Sequence, residues 1–126
     1  PPAFGHHDQL IQVFVNLIKN ACEVLGRDRG EIIISTAYQH GVRIAVPGAA
    51  KPVDLPLVVR VQDNGPGVPL DMQPHLFDPF VSAKPGGHGL GLAIVAKIVS
   101  EHGGLVECDS EPGRTTFTVM LPVAAG

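Results

Sequence analysis

Two segments of the chain place apolar residues at helical spacing, so two amphipathic helices are predicted. The first covers residues 8–25, and the second follows residue 91. Asp8 is the predicted N-cap of the first helix, and Gly26 follows its predicted end. The apolar positions of the first segment are Leu10, Val13, Phe14, Leu17, Ile18, Ala21, Val24 and Leu25. Those of the second are Ile94, Val95, Ile98 and Val99.

Stretches rich in β-branched residues predict strands. They lie at residues 31–38, 42–46, 57–63, 105–109 and 115–121, and the last two form a hairpin. Prolines and glycines in residues 47–56 predict a loop or the end of a hairpin, and a short helix is expected at residues 70–75. Gly103 and Gly104 are predicted to end the second helix.

The strand at residues 57–63 ends in a carboxylate on its apolar side. Strand alternation places Asp63 on the same face as Leu57, Val59 and Val61. A carboxylate on a buried face needs hydrogen-bond donors, because a desolvated charge without partners is costly. The following residues 64–67 include two glycines, which is typical of a simple turn but also of a tight loop beside a cleft.

Polar residues form one stripe along the first predicted helix. The stripe consists of Gln9, Gln12, Asn16, Lys19, Asn20 and Glu23. Asparagine is a poor residue for a helix interior, so Asn16 and Asn20, one turn apart, need an explanation beyond solubility. The stripe is either a solvated face or a set of amides that project into a site.

A glycine-rich turn opens directly into the second predicted helix, with glycines at positions 86, 87, 89 and 91. The first N–H groups of a helix lack intrahelical partners, and glycine lets an anion approach them closely. This pattern favours a phosphate site over an ordinary loop. Leu92 stands where G-x-G-x-x-G requires a third glycine, and neither a P-loop nor the protein-kinase motifs are present.

Residues 76–87 mix two aromatic residues with prolines and glycines, which is typical of a lid with hydrophobic anchors. Phe77 and Phe80 are equally consistent with simple packing into the core.

The composition is that of one soluble domain. The chain has 126 residues, 44% of them hydrophobic, and a net charge of −3 that offers no basic field for nucleic acid or an anionic membrane. No apolar run is long enough to span a membrane, so the chain is expected to be cytoplasmic. Cys22 and Cys108 lack metal or redox spacing and are expected to be buried thiols, and the six histidines show no ligand pattern.

Together these motifs resemble the ATP-binding catalytic domain of bacterial sensor histidine kinases, within the superfamily that includes the ATPase domains of gyrase, Hsp90 and MutL. The resemblance covers His7 to Pro122 and is closest to the nitrogen-regulation sensor kinases. Its boxes are Asn16-Leu-Ile-Lys-Asn-Ala21, Asp63-Asn-Gly-Pro-Gly67, Phe77-Asp-Pro-Phe80, Gly87-His-Gly-Leu-Gly-Leu92 and Gly113-Arg-Thr-Thr-Phe117. His88 departs from the threonine that is frequent at its position.

The resemblance implies a role for each box. Asp63 would accept a hydrogen bond from the adenine amino group, and Asn20 would coordinate Mg²⁺. Asn16 and Lys84 would serve phosphoryl transfer, and Thr115 would line the adenine end. The implied nucleotide site comprises Asn16, Lys19, Asn20, Asp63, Gly65, Gly67, Phe77, Phe80, Lys84, Gly87, His88, Gly89, Leu90, Gly91, Leu92 and Thr115.

The implied fold is a two-layer α/β sandwich, with a mixed sheet of about five strands, about three helices on one face and a flexible ATP lid. Residues 1–7 would be a linker from a dimerisation domain, residues 8–122 the catalytic domain and residues 123–126 a tail.

The implied partners are the kinase's own phosphoacceptor histidine domain, a response regulator and a regulatory signalling protein. The isolated domain would be monomeric and the full-length kinase homodimeric. His6 and His7 do not stand in the acceptor motif, so the fragment alone would lack its phosphoacceptor. Two alternatives stay open, an ATPase clamp and a nucleotide-binding docking module. A clamp would need a general-base glutamate where Asn16 stands.

Overall fold

The computed structural model describes residues 7–25, 30–39, 43–44, 53–78 and 91–122. Their elements are α1 (His7–Leu25), β1 (Ile32–Tyr38), β2 (Arg43–Ile44), β3 (Val53–Asp54), β4 (Leu57–Asp63), a 3-10 helix at Gln73–His75, α2 (Gly91–Glu101), β5 (Leu105–Glu111) and β6 (Arg114–Leu121). Four strands form one sheet in the order β1-β4-β6-β5, and β2 pairs with β3 separately. The two-layer α/β architecture is confirmed, because α1 and α2 pack on one face of this sheet.

The main sheet is antiparallel at each of its three strand pairings, which corrects the expected mixed sheet of about five strands. A tight turn joins β5 to β6, and a chain reversal that contains the small β2–β3 pair joins β1 to β4. Neighbours made by such reversals run antiparallel. β6 lies between β4 and β5 and runs antiparallel to both. The connection from β4 to β5 is therefore a crossover that passes the position of β6.

The core lies between the helices and what we call the helix face of the sheet, which carries the odd-numbered residues of β4. In α1 the fully buried residues are Val13 and Leu17, and α2 contributes Val95 and Val99 at the same helical spacing. The sheet supplies Val61, Phe117, Val119 and Leu121. The alternation predicted for β4 is therefore confirmed, with Asp63 on the buried side.

The opposite, outer face of the sheet has a small apolar cluster of its own. Leu55 is fully buried against Val58 of β4 and Met120 of β6. Leu55 directly follows β3, so the β2–β3 pair ends by covering this face. Its described strands are shorter than the 42–46 segment predicted from sequence, with two residues each.

Two predictions about α1 are corrected. The helix begins at His7, so Asp8 lies in its first turn rather than at the N-cap, where its carboxylate still faces the positive end of the helix dipole. Cys22 is exposed rather than buried. Ala21 occupies the core-facing position of that turn, and the next residue lies about 100° further round the helix.

The end of α2 follows the glycine pattern predicted from sequence. Gly103 has a φ of 73° and donates its N–H to Ser100, and Gly104 donates to Val99 at 2.9 Å. This pair of bonds is a Schellman motif, which satisfies carbonyl groups in the last turn of the helix. The short helix expected at residues 70–75 is reduced to the 3-10 helix at Gln73–His75, which has a proline at its start.

Candidate functional site

The centre of the candidate site is a buried carboxylate at the end of β4. Asp63 is 2% exposed, and its Oδ1 accepts the N–H of Gly65 at 2.9 Å. Burial raises the pKa of this carboxyl group, and the Gly65 N–H partly opposes the shift. Oδ2 accepts no hydrogen bond from the described part of the chain. Oδ2 therefore keeps its capacity to accept a hydrogen bond from a donor outside these residues.

Thr115 stands beside this carboxylate on the neighbouring strand. It is directly opposite Asp63 in the β4–β6 pairing and is 3% exposed. On its other side it is opposite Ser110 of β5, and the two hydroxyl oxygens lie 2.7 Å apart. Asp63, Thr115 and Ser110 therefore form one polar row across β4, β6 and β5 on the helix face of the sheet.

The loop that follows Asp63 is fixed to the sheet on both sides. On the β1 side, the Asn64 side chain accepts the N–H of Glu31 at 2.8 Å. On the β6 side, the N–H of Gly113 donates to the carbonyl oxygen of Gly65 at 3.0 Å. The position of this loop is therefore fixed by contacts on both sides as well as by the geometry of its own turn.

Sequence reasoning missed a second set of anchors for the same loop. Val68 N–H donates to Ser110 Oγ at 2.8 Å, and Gln73 Nε2 donates to the Val68 carbonyl oxygen at 3.0 Å. Alternation along β5 was the available signal, because it places Ser110 on the same face as Cys108 and Val106. Gln73 gave no signal, since its bonds depend on how the 3-10 helix packs.

The polar stripe of α1 divides by exposure. Lys19 is exposed, whereas Asn16 and Asn20 are half-buried. Gln9, Gln12 and Glu23 are exposed as well. The two amides therefore lie at the boundary between solvent and core, on a helix that contacts α2 and β4. This arrangement favours the interpretation that they face a site over that of a uniformly solvated face.

The glycine-rich segment and the lid are described only at their ends. Gly91 and Leu92 are the first residues of α2, as the turn-to-helix prediction requires. Phe77 is half-buried, with its ring edge-to-face against Phe117 at 6.2 Å, which supports the core-packing interpretation for this aromatic residue. The predicted site residues Phe80, Lys84, Gly87, His88, Gly89 and Leu90 lie outside the described residues.

A second titratable group near Asp63, the Cys108 thiol, also has a raised pKa. Burial, with Asp109 and Asp63 nearby, raises the pKa of the Cys108 thiol to about 11, so this half-buried cysteine is a neutral core group. No group of three His, Cys, Asp or Glu side chains in the described ranges could hold a metal ion. No helix in those ranges is long and apolar enough to cross a membrane.

Comparison with known proteins agrees with this geometry. The chain is 58% identical to the sensory histidine kinase/phosphatase NtrB of Rhizobium meliloti (strain 1021), a match that covers 100% of this chain and 33% of that protein. It is also 58% identical to NtrB of Azospirillum brasilense, covering 98% of this chain and 31% of that protein. The chain thus spans about a third of the length of these curated relatives.

Solved structures show the same fold. The mycobacterial sensor histidine kinase MprB matches with a TM-score of 0.72 at 27% identity, over 94% of this chain and 72% of that one. The nucleotide-free catalytic domain of histidine kinase ThkA matches with a TM-score of 0.71 at 28% identity, over 94% and 69%. The family described as histidine kinase-, DNA gyrase B- and HSP90-like ATPase matches residues 5–125, and the chain belongs to this family.

Proposed function

We propose that this domain binds ATP with Mg²⁺ and supplies the γ-phosphate for phosphorylation of a histidine on a separate phosphoacceptor domain of the same kinase. The observation that carries the proposal is Asp63, a carboxylate buried at a strand end with one oxygen held by its own loop and the other available. A protein keeps such a desolvated acceptor at a cost, so a ligand donor is the natural partner. The adenine amino group is a donor of the right kind.

The remaining site residues are suited to binding the phosphate groups and a metal ion. Phosphoryl transfer depends mainly on positioning and charge neutralisation, and we assign these roles to Asn16, Lys84 and the glycine-rich segment before α2. Asn20 would be a ligand of Mg²⁺. A neutral amide at a half-buried helix position suits Mg²⁺, which keeps several waters and phosphate oxygens as ligands. The described residues contain no cluster of carboxylates that could bind the ion without a nucleotide. When bound, the metal would neutralise phosphate charge.

The wider role rests on the relatives. Their name, sensory histidine kinase/phosphatase NtrB, supports a two-component system in nitrogen regulation. We propose that residues 8–122 form the catalytic domain, and that its partners are the kinase's own phosphoacceptor domain, a response regulator and a regulatory signalling protein. We further propose a cytoplasmic location, a monomeric isolated domain and a homodimeric full-length kinase.

Two other functions are less well supported. An ATPase clamp needs a base to activate water, and Asn16 cannot serve because its amide does not accept a proton at neutral pH. A docking module that binds nucleotide without transfer has no need of Lys84 or Asn16.

Calorimetric titration of the chain with ATP and GTP, each with Mg²⁺, tests the nucleotide proposal. We expect saturable binding of ATP and much weaker binding of GTP, because guanine presents an oxygen where adenine presents its amino group. No binding of ATP, or equal binding of both, would refute it.

A further inference from the structure

Ser110 and Thr115 form a hydrogen-bonded pair of hydroxyl groups beside Asp63. Their oxygens are 2.7 Å apart, and Ser110 Oγ also accepts the Val68 N–H at 2.8 Å. Thr115 is opposite both Ser110 and Asp63 in the sheet. Either hydroxyl could donate across the 2.7 Å contact, so the direction of this bond has to be decided from the remaining partners.

The partners of Ser110 favour one direction for this bond. A hydroxyl group has one proton to donate and two lone pairs. The Val68 N–H already occupies one lone pair of Ser110, and within the described residues Thr115 is the one acceptor in reach of the Ser110 hydroxyl proton. Donation from Ser110 to Thr115 is therefore the direction that satisfies the Ser110 proton within the described residues. The proton of Thr115 is then directed away from β5 and is available to a ligand.

This direction gives the site a defined pattern. Thr115 presents a donor next to the carboxylate of Asp63, which presents an acceptor. Adenine carries the complementary pair on its Watson–Crick edge, with an acceptor at N1 beside a donor at the 6-amino group. Guanine carries the reverse, with N1–H beside O6.

We propose that Ser110 is a specificity-determining positioning residue, which fixes the Thr115 hydroxyl as a donor toward N1 of adenine. The proposal rests on the proposed function, since it needs adenine at Asp63. Ser110 acts through Thr115 and does not touch the base. It also anchors Val68, so a test has to separate the direction of the Thr115 hydroxyl from the anchoring of the loop.

A pair of ligands with and without the N1 atom separates the direction of the Thr115 hydroxyl from the anchoring of the loop. We compare ADP with 1-deaza-ADP, in which carbon replaces N1, by calorimetry on the native chain and on Ser110→Ala. Ser110→Ala should weaken ADP binding by at most about 12-fold, the upper end for a neutral hydrogen bond, because the Thr115 hydroxyl remains but is no longer held toward N1. It should weaken 1-deaza-ADP binding less than ADP binding, because that ligand has no acceptor for the Thr115 proton and is affected only by the lost Val68 anchor. Ser110→Thr, which keeps the hydroxyl, should restore the preference for ADP.

Gln73→Ala is the matched control, because Gln73 holds Val68 and the Ser110 carbonyl oxygen but not the hydroxyl pair. It should weaken both ligands equally. Equal losses for ADP and 1-deaza-ADP in Ser110→Ala would overturn the specificity role while the nucleotide proposal stands. Failure of the native chain to bind ADP would overturn both. Thermal melts of each variant confirm that the binding data come from folded protein.

Discussion

Gly67 lies directly against Glu111, so that a methyl group placed on Gly67 would come within 2.7 Å of the Glu111 carbonyl oxygen. Both partners are backbone, and neither can move without shifting its strand or loop. The loop after Asp63 and the β5–β6 turn are therefore in backbone contact, which the Gly113–Gly65 hydrogen bond reinforces. Nucleotide affinity should depend on this contact although Glu111 lies outside the proposed pocket.

Gly67→Ala should destabilise the domain and weaken ATP binding together. Gly113→Ala is the matched control, because Gly113 has a similar φ of 89° but a methyl there would meet no atom within 4 Å. Strain at a left-handed residue costs about 1–3 kcal/mol and applies to both variants, whereas the collision applies to Gly67 alone. Urea unfolding and ATP titration should show the larger loss in Gly67→Ala. Equal losses in the two variants would show that the contact is unimportant.

Asp63→Asn should weaken ATP binding by roughly 10- to 150-fold, because a hydrogen bond to a charged acceptor contributes about 1.5–3 kcal/mol. The asparagine oxygen can still accept the Gly65 N–H, so the loop should persist. Native-like affinity in Asp63→Asn, measured by calorimetry, would exclude the adenine role.

The same variant should stabilise the ligand-free domain at neutral pH. Burial raises the pKa of Asp63 above its ordinary value of 3.8, so the folded state favours the protonated group. The stabilisation from the protonated Asp63 carboxyl group is fully present below the unfolded pKa of 3.8, and it is lost as the pH rises through the higher pKa of the folded state. The stability gain of Asp63→Asn over the native chain should therefore shrink as pH falls from 7 toward 4. Urea unfolding across this range measures it, and a constant or growing gap would contradict the burial argument.

The two cysteines should react very differently with a thiol reagent. Cys22 is exposed and should react rapidly. With a pKa of about 11, Cys108 is a thiolate in only about one molecule in a thousand at pH 8, and it should react only on unfolding. Cys22→Ser should abolish the fast phase, and Cys108→Ser should preserve it. Two fast thiols in the native chain would show that β5 opens readily.

Much of this site could be predicted from the sequence because its signals are local. Alternation along residues 57–63 identified Asp63 as a buried carboxylate, and helical spacing placed Asn16 and Asn20 on one face. Both signals depend on the geometry of a single element. The start of α2 at Gly91 was readable for the same reason.

The remaining features depend on contacts between distant segments. Ser110 bonds to Val68, which is 42 positions away, and the two residues are brought together by the arrangement of β4, β6 and β5 in the sheet. A pattern within one strand cannot reveal which strand becomes its neighbour. The exposure of Cys22 is instead a local feature, because helical spacing places it about 100° from the core-facing Ala21, whereas its predicted burial rested on the hydrophobic character of cysteine alone.

Asn20→Ala should reduce the effect of Mg²⁺ on ATP binding more than it reduces binding of ADP without metal, since the amide would act through a cation shared with the phosphates. Asn16→Ala is a useful comparison, because this second amide of the stripe is proposed to serve transfer. Titrations with and without Mg²⁺ measure the difference. Equal losses of affinity with and without Mg²⁺ would exclude Asn20 as a ligand of the metal.

The most direct test of the whole account is a phosphotransfer assay with γ-labelled ATP, with and without the phosphoacceptor domain supplied as a separate chain. We expect no label on this chain alone and acid-labile label on the acceptor histidine when both are present, at a rate limited by docking because no covalent linkage raises the local concentration. Asp63→Asn should reduce that label in parallel with its ATP affinity. Acid-labile phosphate on His6 or His7 of this chain alone, or no label on the acceptor domain under saturating ATP, would contradict the account.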